Sequence, residues 1–111
     1  MRFLGYTLAD ENAPVPPPPP DIEEKMGKFI EEATAAGVFI TGGGMAPTAE
    51  GVIIRLNEGK FTVIDGPFAE AKEIVGGWAL MEAPTIEEAI EWSKRFMAIA
   101  DAGETRLRPV Y

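Results

Sequence analysis

The stretch Val63 to Glu82, V-I-D-G-P-F-A-E-A-K-E-I-V-G-G-W-A-L-M-E, decides how this chain is read. Two strand-like apolar runs flank a Gly-Pro turn and a charged segment, and Gly76-Gly77 opens the second run. Proline cannot donate to a strand ladder and glycine tolerates a sharp change of direction, so the chain turns here rather than continuing a strand.

Upstream of that stretch, Gly51–Leu56 and Lys60–Ile64 read as two strands, with Asn57-Glu58-Gly59 between them as a hairpin loop. Downstream, Gly76–Ala83 is a strand stopped by Pro84, and Thr85 with Glu88 forms a capping box for a helix. Ile86, Ala89, Ile90, Ser93, Phe96, Met97 and Ala100 recur at helical spacing on one face, and Gly103 follows. Thr105–Val110 is a last strand, and Pro109 argues for an edge position.

The first third holds the same grammar. Arg2–Leu8 is rich in bulky residues and reads as a strand, not as a signal segment, because Gly5 and Thr7 break its apolar run. Ala9–Pro20 contains six prolines and reads as an extended connector, with docking to a proline-reading domain as the rival. Asp21 and Glu24 suggest another capping box, Ile22, Met26, Phe29, Ile30 and Ala33 form a helical stripe, and Gly37 ends the helix. Val38–Thr41 is a short strand followed by a Gly42-Gly43-Gly44 turn. No G-K-[ST] follows, so close backbone approach is a better reading than a phosphate loop.

Strand, helix, strand, hairpin, strand, helix, strand predicts one α+β domain of ferredoxin-like type, βαβββαβ with an added hairpin, helices on one face of the sheet. Yet the strands are apolar on both faces. Val52, Ile54 and Leu56 oppose Ile53 and Arg55, and Trp78, Leu80 and Glu82 oppose Ala79, Met81 and Ala83. A sheet covered on one side alternates more cleanly, so a second copy of the chain is expected over the other face.

Composition narrows the function. The 111 residues carry a formal net charge of −8, which disfavours nucleic acid and anionic membrane surfaces as partners. No apolar run approaches spanning length. With neither cysteine nor histidine, there is no disulfide, no thiolate or imidazole metal site, and no neutral-pH imidazole base. A cytoplasmic location is expected, without metal or cofactor, and proton transfer falls to carboxylates, Lys, Tyr or water.

The segment D-G-P-F-A-E-A-K-E-I-V-G-G-W resembles the motif of the DGPF-domain branch of the YCII-related family. The resemblance extends to E-E-A-T-A-A-G-V, T-G-G-G-M-A-P, T-I-E-E-A-I-E-W and the terminal R-P-V, and so covers nearly the whole chain. It implies a ferredoxin-like fold paired into an α+β-barrel dimer. Most members have no assigned function. DGPF relatives are often encoded beside alternative sigma factors, which points to regulation. For the YCII branch it implies a His-Asp pair in a cleft, and one relative dehydrochlorinates a chlorinated hydroxyquinol. Asp65 matches the motif aspartate, whereas the histidine partner is missing.

Asp65 has two readings: a base in a partly apolar cleft, or a side chain that holds the Gly-Pro turn. Glu70 and Lys72 offer a second acid–base group and a cation for a carboxylate or phenolate, or, with Glu73, a surface ion cluster. Phe68 and Trp78 line a pocket or fill core, and Arg108 grips an anion or pairs across the sheet. The expected function is a homodimer binding a small anionic or aromatic ligand, with Asp65 as catalytic base of an elimination or isomerisation and Phe68, Glu70, Lys72 and Arg108 as ligand residues. The alternative is a non-catalytic binding or interaction module with a regulatory role.

Overall fold

Residues 1–14, 16–68 and 73–111 are described by the computed structural model. Along them run β1 (Arg2–Ala9), α1 (Ile22–Ala35), β2 (Phe39–Gly44), a 3-10 turn (Thr48–Glu50), β3 (Val52–Asn57), β4 (Lys60–Asp65), β5 (Ile74–Glu82), α2 (Ile86–Ala100) and β6 (Thr105–Val110). Four strands form one sheet in the order β2-β5-β1-β6, every neighbouring pair antiparallel. Each helix therefore connects two strands that run parallel with a third between them, the split βαβ arrangement of a ferredoxin-like α+β fold. β3 and β4 form a separate two-stranded hairpin inserted between β2 and β5.

Side-chain alternation decides which sheet face the helices cover. Phe3 and Gly5 on β1 stand opposite Met81 and Ala79 on β5. With Val38, Ala83 and Ala89 behind them, Phe3 and Met81 make the buried core, against which Trp92 and Leu107 pack. α1 and α2 are clamped at their outer rim. Arg95 sends two guanidinium hydrogen bonds to Glu32 at 3.0 and 2.5 Å, and its plane lies 5.2 Å from the Phe29 ring and 4.9 Å from that of Trp92. Those hydrogen bonds hold the Glu32 carboxyl below its ordinary range, so the clamp persists to lower pH than an ordinary glutamate would allow.

Helix ends follow local chemistry with two departures from expectation. Gly37 takes the left-handed conformation at φ 75°, and the bonds from Gly37 N–H to Thr34 and from Val38 N–H to Ala33 close a Schellman motif. Thr85 caps α2 by accepting from Glu88 N–H at 3.3 Å. Asp21 makes no capping bond; its carboxylate turns to Lys25 at 3.2 Å, a rival one helical turn along. α2 ends on Asp101, left-handed at φ 53°, two residues before Gly103.

Gly42-Gly43-Gly44 is strand, not turn. A Cβ on Gly42 would stand 2.6 Å from the Trp78 carbonyl oxygen, so close approach to β5 excludes any side chain there. The hairpin loop reduces to Glu58-Gly59, with φ 51° and 77°, the conformation of a type I′ turn. Pro109 lies on β6, an edge strand, as its missing donor requires.

The protomer is thin and extended. Its extents are 46 × 36 × 18 Å, and its radius of gyration of 16.2 Å exceeds the ~13 Å of a compact chain of this length. Accessible surface is 8091 Å², about 2,000 Å² above that of a compact monomer of this mass. Much of the excess is apolar. On one face of the hairpin Val52, Ile54, Leu56, Phe61 and Val63 are all more than half exposed.

Candidate functional site

The Asp-Gly-Pro motif sits where the hairpin rejoins the body. Asp65 ends β4 opposite Val52, and the next residue, Gly66, donates its N–H to the Gly51 carbonyl at 2.9 Å. The Gly66–Pro67 peptide is cis. Beyond it, Phe68 N–H donates to the Thr48 hydroxyl at 3.2 Å. Thr48 in turn gives its hydroxyl hydrogen to Glu11 and its backbone N–H to the other Glu11 oxygen at 3.0 Å. A carboxylate from the proline-rich connector thus ties together the 3-10 turn and the motif. Nothing in the local pattern around Glu11 or Thr48 announces this link.

Gly66 is fixed by contact, not by backbone twist. A Cβ there would lie 1.7 Å from the Thr48 carbonyl oxygen. Phe68 is half-buried, its ring covering Gly51. The Asp65 side chain is exposed, makes no side-chain hydrogen bond among the described residues, and lines neither of the protein's two principal hollows. Glu70 and Lys72 lie outside the described residues.

Arg108 is placed elsewhere, on the sheet face turned away from the helices. On this face Leu4 stands between Leu80 and Arg108, and Tyr6 between Trp78 and Arg106. The apolar centre is edged by charge: Arg2 meets Glu82 at 3.9 Å, and Arg106 meets Glu104 at 3.0 Å and Glu73 at 3.6 Å. Leu4, Tyr6, Met45, Val75, Trp78 and Arg108 border a broad open hollow of about 630 Å³. One guanidinium beside two aromatic rings suits a planar anion: the rings offer stacking surface and the guanidinium a forked pair of donors.

Of the residues singled out in the sequence, the structure brings Arg108 and Trp78 into one hollow and places Asp65 and Phe68 at the hairpin junction. No cluster of three or more acidic side chains suited to a metal ion occurs among the described residues, and no helix is long and apolar enough to cross a membrane.

Comparison with known proteins agrees with this architecture. Over 91 residues the chain is 29% identical to an uncharacterized protein of Rhizobium meliloti (strain 1021), a match covering 81% of this chain and 70% of the relative. The YCII-related domain matches residues 1–111, from the first strand through the hairpin motif to the last. The chain belongs to the YCII-related family.

Proposed function

We propose that this protein, of the DGPF branch and cytoplasmic, is a homodimer that pairs the helix-free faces of its sheets and holds a small aromatic anion beside Arg108. The carrying observation is the uncovered face itself: Leu4, Tyr6, Trp78 and Leu80 at the centre of a layer only 18 Å thick. Surplus surface of about 2,000 Å² per protomer matches what obligate dimers bury, once it is counted for two chains. A second copy supplies another apolar sheet, and sheets pack at about 10 Å with their side chains interlocked. Closure over the Arg108 hollow would strengthen the pull of its charge on a carboxylate or phenolate by excluding water.

Sedimentation velocity from micromolar to nanomolar concentration tests the pairing. A species of twice the chain mass is expected throughout the micromolar range. A monomer at the highest concentration removes the reading and the closed hollow with it.

Asp65 remains the candidate base for an elimination or isomerisation, provided the assembly covers its carboxylate. Asp65→Asn is then expected to cut turnover of an aromatic carboxylate or phenolate, found by thermal-shift screening, by about 10²–10⁴-fold with the shift retained. Unchanged turnover would take Asp65 out of the chemistry. The exposure of Asp65 in the protomer favours a second reading, a non-catalytic ligand-binding or interaction module with a regulatory role. Under it, ligands shift the unfolding temperature and none is consumed.

A further inference from the structure

The opposite side of the sheet holds a hollow that neither the motif nor Arg108 reaches. A cavity of about 330 Å³ lies between the sheet and the two helices. Its origin is a row of small residues across the strands. Gly42, Ala79 and Gly5 stand side by side on β2, β5 and β1, on the face the helices cover. Helices resting on larger neighbours cannot sink onto such a floor. Phe29, Phe39, Trp92 and Phe96 form much of the apolar remainder of the lining.

One polar atom interrupts it. Thr105, opposite Thr7 at the start of β6, lines the cavity, and its hydroxyl oxygen is buried with no hydrogen-bond partner among the described residues. The other hydroxyls nearby are engaged. Thr7 accepts from Gly77 N–H at 3.0 Å, and Ser93 donates to the Ala89 carbonyl at 2.8 Å. A buried hydroxyl without a partner is uncommon because the lost water contact is not replaced. Here it faces a space large enough to hold the missing partner.

From this we propose that the helix–sheet cavity is a binding site for a neutral, bicyclic-sized apolar molecule carrying one hydrogen-bonding group, received by the Thr105 hydroxyl. Size and chemistry both point there. An apolar cavity of ~150 Å³ accepts a benzene ring, and this one is about twice as large. No charged side chain is available to neutralise an ion, so a carboxylate would enter at a heavy desolvation cost. This excludes the aromatic anion assigned to Arg108 and makes the two sites chemically distinct. The site lies wholly within one protomer and does not depend on pairing.

Titration with 1-naphthol and with naphthalene, followed by fluorescence, tests it. The native protein is expected to bind both, 1-naphthol more tightly. Thr105→Val, nearly the same shape without the hydroxyl, should weaken 1-naphthol about fivefold, the worth of one neutral hydrogen bond, and leave naphthalene unchanged or slightly tighter. Ala79→Leu, which builds up the cavity floor, should abolish binding of both probes. Circular dichroism of each variant confirms that the fold is kept. Failure of the native protein to bind either probe near saturation overturns the proposal. So does 1-naphthol affinity indifferent to Thr105→Val and Ala79→Leu, or lost instead on changing Trp78 or Leu80 from the opposite face.

Discussion

Gly66→Ala is expected to destabilise the protein by about 3 kcal/mol or more, although it adds one methyl group at a turn. The new Cβ would stand 1.7 Å from the Thr48 carbonyl oxygen and 2.6 Å from its carbon. Both are backbone atoms, so no rotamer change relieves the overlap. The 3-10 turn must move away, and several bonds move with it: Gly66 to Gly51, Phe68 to Thr48, and Thr48 to Glu11. Each intramolecular hydrogen bond contributes about 0.5–1.5 kcal/mol, and together they reach the stated cost. Against a usual total of 5–15 kcal/mol this is a large share, and the unfolding midpoint should fall by more than ~10 °C. Gly27→Ala is the matched control. Gly27 lies in α1 with no atom within 4 Å of an added Cβ, so helix propensity should make that change neutral or stabilising by up to about 1 kcal/mol. Comparable midpoints for the two variants would show that Gly66 is not held against Thr48.

The contrast between these glycines shows how far the sequence can be read. Element order, the inserted hairpin, the Gly37 terminus and the Thr85 cap follow from periodicity and from residues within four positions of one another, and the fold has them all. Local rules fail where two local partners compete. Asp21 has both a cap and Lys25 within reach, and the ion pair prevails. They fail also where the deciding neighbour is remote. Three successive glycines resemble a turn until β5 is laid beside them, when the Trp78 carbonyl explains why a strand has no side chain at Gly42.

The candidate sites follow the same division. Arg108 and Trp78 were legible as unusual residues on strands, and antiparallel register was enough to bring both to the helix-free face. The Glu11–Thr48 link spans 37 residues and carries no motif. Thr105 is invisible in sequence because its only distinction, a buried hydroxyl without a partner, is a property of what surrounds it. Asp65 is prominent in sequence for its place in the motif, but the protomer gives its carboxylate neither a cavity nor a side-chain partner.

Leu80→Glu is expected to convert the proposed dimer into a folded monomer. Leu80 lies on β5 between Leu4 of β1 and Thr41 of β2, near the middle of the helix-free face. In an isolated protomer that face is open to water, so a carboxylate there costs little and the sheet should survive. In the paired state two-fold symmetry brings in the same change twice, with no cation required to stand opposite either copy. Burial of an unpaired charge costs several kcal/mol, and ~4 kcal/mol corresponds to about a thousandfold weaker association. Sedimentation should therefore show the mass of one chain at concentrations where the native protein is paired, with an unchanged far-ultraviolet dichroism spectrum. Ile54→Glu separates this geometry from its rival. Ile54 is 65% exposed on the hairpin's apolar face, which competes as a contact surface. Should Ile54→Glu dissociate the dimer while Leu80→Glu leaves it intact, the chains meet through their hairpins, and the hollow around Arg108 stays open to water.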